Sequence, residues 1–158
     1  MPDPFRLQVL KAITDTIKTV TPANGYEHDL SQAVFRGRVI FGAGDPLPMV
    51  SILEAPLQPD SYDTPEDSRD VWGELQLLVQ GFVVDDLENP TDPAHKLMFE
   101  VKKALAATKE RSNILELGTK VTKLNIGQGV CRPADGQVSD KTYFWLPVSV
   151  QFVEDLTA

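Results

Sequence analysis

The chain has a single cysteine, Cys131, in 158 residues. An internal disulfide is therefore impossible, and the mark of a secreted, cross-linked scaffold is missing. Histidine is nearly as scarce, with His28 and His95 alone. Neither stands in an HxH or HExxH spacing, so a helix-borne zinc site has no anchor. No apolar run approaches the roughly 20 residues that cross a bilayer. The opening MPDPF lacks the apolar centre of a secretory leader, so neither export nor membrane insertion is expected. Positive charge is also short: 15 Lys and Arg stand against 23 Asp and Glu, a net charge of -8. That balance disfavours nonspecific binding to nucleic acid or anionic lipid, though a local basic patch can still exist on such a surface. No G-x-S-x-G elbow occurs, no GK[ST] follows the glycines of FGAGDP or NIGQGV, and the acids never fall in EF-hand order.

What is present is a core-forming pattern. Apolar residues make up 42% of the chain, enough for one ordinary domain spanning 1–158. The stretch VWGELQLLVQGFVV, residues 71–84, alternates throughout. Val71, Leu75, Leu77, Val79 and Val83 share one side with Gly73 and Gly81, and the other side is partly polar. This is a strand with one wet face, and it predicts the centre of an antiparallel sheet. Residues 142–153, TYFWLPVSVQFV, alternate in the same way, with Phe144, Leu146, Val148, Val150 and Phe152 on one face. Pro147 lacks an amide hydrogen, which predicts an edge position or a bulge there.

Shorter strands are expected at 34–41 and 49–54, joined as a wide hairpin, and at 120–126, with Gly127-Gln128-Gly129 bulging or ending it. Helical spacing appears twice. Phe5, Val9, Ile13, Ile17 and Val20 form a stripe over 5–20, with Asp3 as the cap, Pro4 in the first turn and a Lys11–Asp15 pair on the wet side. Leu97, Val101, Ala104 and Leu105 form a second stripe over 93–107, opened by Pro93 behind Thr91 or Asp92. RSNILELG, 111–118, adds a short turn. The sum is an α+β fold: a mostly antiparallel sheet of about five strands with two helices packed on one face.

Between 55 and 70 the character changes. APLQPDSYDTPEDSRD holds three prolines, five acids and one base, and reads as a long acidic surface loop at about 56–70. Asp63, Glu66 and Asp67 lie in it, either plainly solvated or as a contact arm for another protein. Arg36 and Arg38 share a strand face. They form a wet surface or pair across a subunit contact, for instance with the acidic loop of a neighbour. Trp72 and Trp145 each fall on the more polar side of a strand, either as core residues or as interface anchors. Lys102 and Lys103 face solvent late in the second helix, where the dipole favours them. His28, between Glu27 and Asp29, reads as part of a solvated acidic loop, and His95 as a surface residue. Cys131 reads as a structural thiol, beside an Arg132 able to lower its pKa.

The segments GR-x8-LPMVSILE, WGELQLLVQGFV and ENPTDPAHKLMFEVKKAL, taken in this order between a first helix and two closing strands, resemble the tail terminator proteins of long-tailed bacteriophages. The resemblance runs over nearly the whole chain but rests on order and pattern. LELG at 115–118 departs from the LGG that family members often carry near their close. It implies a structural protein of the virion tail, assembled in the host cytoplasm, with no catalytic residues and no cofactor. Such proteins form a hexameric ring that caps the tail tube, stops its polymerisation and presents a joint to the head-side connector or neck protein. DNA only passes through the lumen, and an acidic lumen repels it. The implied interface regions are Arg36 and Arg38, the 56–70 loop, the turn at 85–92 with Asp85 and Asp86, and an exposed edge at 142–153. A related neck or tail-completion protein fits the same pattern. A small peptide- or ligand-binding α+β module, or an enzyme using scattered carboxylates, are the readings of other classes.

Overall fold

In the computed structural model, the residues described are 3–38, 45–54, 70–109, 113–133 and 141–155. They form α1 (Phe5–Lys18), β1 (Val34–Arg36), β2 (Met49–Glu54), β3 (Asp70–Val84), α2 (Asp92–Ala106), β4 (Val121–Ile126), β5 (Val130–Arg132) and β6 (Lys141–Asp155), with short 3-10 turns at Pro22–Asn24, Ile114–Glu116 and Gly118–Lys120. The class is α+β. One six-stranded, mostly antiparallel sheet runs in the order β1-β2-β3-β6-β4, with β5 also on β6.

Two 15-residue strands, β3 and β6, pair along their whole length from Asp70↔Asp155 to Val84↔Lys141. The alternation dictates which side is covered. Leu75, Leu77, Val79 and Val83 of β3 are buried, as are Phe144, Leu146, Val148, Val150 and Phe152 of β6. Both helices lie against this side. Helix α2 brings Leu97, Val101, Ala104 and Leu105, and α1 brings Val9, Ile13 and Ile17, into one continuous core. Each of these Leu, Val and Ile side chains contributes about 1.5–3 kcal/mol by leaving water, so the two stripes are enough to hold helices that would be marginal alone.

Four local expectations are corrected. First, β1 and β2 are parallel, with Val34↔Val50 and Arg36↔Ile52, and do not form a hairpin. Gly37 adopts φ 71, which turns the chain out of the ladder after Arg36. The twelve residues between Arg36 and Met49 are long enough to carry it back to the start. Residues 39–41 of the expected strand lie outside the described residues.

Second, β6 is not an edge. It sits between β3 on one side and β4 with β5 on the other. Pro147 is accommodated because its carbonyl, and hence its missing amide hydrogen, faces the break between β4 and β5. There the carbonyl accepts from the Gly127 amide at 2.8 Å. Ile126↔Val148 and Val130↔Trp145 differ by one residue of register, so the glycine segment 127–129 does carry a bulge.

Third, Asp3 does not cap α1. Its Oδ2 accepts from Lys11 Nζ at 2.6 Å, which draws Lys11 away from Asp15, and Pro4 occupies the N-cap position. Fourth, β5 is a sixth strand that three residues of sequence are too short to announce.

Candidate interaction surfaces

The face of the sheet away from the helices is the first candidate. Residues at alternate positions of β3 and β6 necessarily point there. Phe82 and Tyr143 are cross-strand partners with ring centroids 6.1 Å apart, and Tyr143 meets Trp145 at 5.6 Å. Trp145 is 42% exposed, and Val84 and Val130 are more exposed still. Lower on the same face Leu78 and Pro147, with Glu74, Gln76 and Asn125, line a shallow hollow of about 370 Å³. Trp145 is thus an outward residue and not part of the core. Trp72 pairs with Val153 at the far end of β3, and its side chain falls outside the description.

The second candidate is a groove of about 610 Å³ between α1 and the β1 edge. Leu7, Leu10, Val34 and Phe35 line it, and Lys18, Arg36 and Arg38 stand around it with Glu54. Of the two arginines, Arg36 is exposed. Arg38 is not simply outward: its guanidinium lies 4.8 Å from the Phe35 ring centre and its Nη2 pairs with Asp45. Glu54 is engaged by Arg6 at 3.1 Å.

The third is the acidic turn that leaves β3. Asp86 organises it by accepting from the Glu88 amide at 2.8 Å and the Asn89 amide at 3.2 Å. These two bonds, Glu88 first, hold the Asp86 carboxyl below the usual carboxylate range. Asp85 is half-buried and Glu88 exposed. Between them Leu87 stands almost wholly in water, at 95% exposure.

Lys103 faces solvent, as expected, whereas Lys102 is half-buried. Lys102 Nζ donates to the Gln128 carbonyl at 2.6 Å, tying α2 to the bulge, and Lys103 Nζ lies 5.8 Å from the Tyr26 ring centre. Asp63, Glu66 and Asp67, with the rest of 56–69, lie outside the described residues. The structure therefore gathers Arg36 and Arg38 at one groove and Asp85 and Asp86 at one turn. Sequence reasoning passed over Leu87, although a leucine inside DDLEN is a visible anomaly. It also passed over the Phe82–Tyr143–Trp145 row, which needs the register.

Nor is His28 solvated. Its Nδ1 pairs with Glu100 of α2, and the same carboxylate accepts from the amides of Glu27 at 2.6 Å and His28 at 3.1 Å. Burial raises the Glu100 carboxyl, but the His28 ring and the two amides together outweigh it and hold the group low. Both carboxylate oxygens are thus spent on the chain, so the pair is a clamp holding the 27–28 segment on α2. His95 is exposed, as expected. Cys131 corrects another expectation: burial pushes its thiol up, and the opposing charge is Lys102 in place of Arg132. Among the described residues no three His, Cys, Asp or Glu side chains gather as a metal site, and no helix is long and apolar enough to cross a membrane. No protein-family model matches the chain, and no curated protein is significantly similar to it.

Proposed function

We propose that this is a structural virion protein of the tail terminator type. In this reading it caps the end of the phage tail tube as a ring of identical subunits, hexameric by family resemblance. It stops tube polymerisation and forms the joint to the head-side connector. It performs no catalysis, and DNA meets it only in passing through the lumen. The observation that carries the reading is the sheet face away from the helices, where exposed Trp145, Val84 and Val130 stand beside the half-buried Phe82 and Tyr143. A domain that works alone rarely leaves a contiguous aromatic and aliphatic surface of this kind in water. Residues of these types are enriched where proteins meet. The separate basic groove and acidic turn add to it, because ring closure needs two different patches on each subunit. The resemblance of the strand and helix segments points the same way.

The test is direct. Purified protein is mixed with tail tubes lacking their natural end and viewed by negative-stain microscopy, with mass measured by light scattering. Rings seated on tube ends, and tubes of limited length, are the expected result. Rings that bind connectors but never tubes assign the protein to the neck instead. A particle of monomer mass that ignores both structures overturns the reading.

A further inference from the structure

A ring subunit needs a projection and a socket, and two features of this chain match in shape and in charge. The projection is the turn after β3. Leu87 is 95% exposed at its tip, between Asp85, Asp86 and Glu88. A lone exposed leucine means little, but this one stands in a rim of like charge. The socket is the groove between α1 and β1. Its apolar lining is Leu7, Leu10, Val34 and Phe35, and its rim carries Lys18 and Arg36, together with Glu54, which Arg6 engages, and Arg38, which pairs with Asp45. An apolar tip in an acidic collar thus has a counterpart in an apolar slot flanked by Lys18 and Arg36.

The two cannot meet within one subunit. Register places Arg36 beside Ile52, and Ile52 beside Val79. Asp85 lies six residues beyond Val79, roughly 20 Å along the sheet at strand rise, and β3 is two strands, about 10 Å, from β1. The match must therefore be made between copies. Because projection and socket are different patches, the contact is heterologous and generates a ring or a filament, not a two-fold dimer.

We propose that the groove between α1 and β1 of one subunit receives Leu87 and the acidic turn 85–92 of the next copy of this chain. The proposal rests on the ring reading above and gives it a lateral contact. Leu87 fills the apolar lining, while Asp85 and Glu88 approach Lys18 and Arg36 at the rim. Complementary rims of this sort set register and orientation, and the buried leucine supplies the affinity.

Sedimentation equilibrium of the full chain tests it, on the wild type, Leu87→Asp, Arg36→Glu, Glu88→Arg, and the Arg36→Glu/Glu88→Arg double variant. All these positions are exposed, so folding is undisturbed, and circular dichroism checks this. Leu87→Asp should weaken self-association about tenfold or more, from the loss of one buried leucine. Each charge reversal alone should weaken it, and the double variant should regain most of the loss. As a second measurement, subunits carrying Leu87→Cys and subunits carrying Leu10→Cys, both with Cys131→Ser, should form a disulfide only when mixed. If the wild type associates but Leu87→Asp does not weaken it and no mixed disulfide forms, the contact is wrong and the ring reading stands. If the wild type stays monomeric at the highest attainable concentration and on tail tubes, both fall together.

Discussion

Gly81 of β3 lies directly opposite Phe144 of β6, and the phenyl ring occupies the space that a side chain at 81 would need. The same pairing recurs eight residues earlier, where Phe152 covers Gly73 and a Cβ would come 2.9 Å from the ring tip. Glycine is normally a weakness in a strand. Here each glycine lets a large ring lie flat on the sheet, beneath the helices, so the central pair stays close to α2. Gly81→Ala is expected to cost about 1–3 kcal/mol by overpacking, and Gly73→Ala less, since its clash is only with a ring edge. Urea unfolding of both variants measures this. Equal and negligible losses would show that the rings move aside freely.

The Glu100 clamp predicts an acid limb to stability. Its folded carboxyl titrates below the ordinary value of 4.5. A depressed carboxyl stabilises the fold fully above its unfolded pKa, and the contribution fades as pH falls through the lower folded value. The Glu100-dependent loss therefore belongs below about pH 4.5, with no change from this group between there and neutrality. Glu100→Gln should cost about 1–2 kcal/mol at pH 7, where hydrogen bonds to a charged acceptor are replaced by weaker ones. The variant should also lose stability less steeply on acidification. Denaturant midpoints at pH 7 and pH 4 give both numbers, and an unaltered acid slope would assign that limb to other groups.

Trp145 separates fold from assembly. It stands exposed on the face away from the helices, and among the described residues Tyr143 is the ring stacked beside it, so Trp145→Ser should cost the isolated subunit no more than about 1 kcal/mol. Under the ring reading it should nonetheless impair capping of tail tubes. Thermal melts and counts of capped tubes distinguish the two effects. A variant that unfolds easily yet caps normally would make the row a stability element.

Pro147 gives a positional test of the sheet. Its nitrogen faces the gap between β4 and β5, so Pro147→Ala should change stability by less than about 1 kcal/mol. Ser149 is two residues on, with its amide turned to the same side, where Asn125 of β4 is its partner. Ser149→Pro deletes a ladder bond and should cost at least about 2 kcal/mol. Similar small effects at both positions would mean that β4 is not held to β6 by this register.

Much of the architecture was legible because its causes are local. Alternation over 71–84 and 142–153 states both that these are strands and which side is buried, since successive side chains must point oppositely. The stripes Val9-Ile13-Ile17 and Leu97-Val101-Leu105 state the helices for the same kind of reason. Trp145 was named a candidate by its place in the alternation, while Leu87 was passed over although it is an apolar residue in an acidic turn.

Pairing was not legible, because it depends on encounters between distant segments. Nothing near Pro147 reveals that two short strands share the flank of β6 and leave a gap at that residue. Nothing in VFRG says that Gly37 will turn the chain aside and make β1 parallel. The Glu100 clamp joins residues 72 positions apart, and Lys102 finds a carbonyl 26 positions away. The sequence by itself determined the long strands, the helices and their buried faces, because periodicity acts over a few residues. Only the tertiary structure decided which edges stay open and which charges are already spent, because packing brings those groups together across the chain.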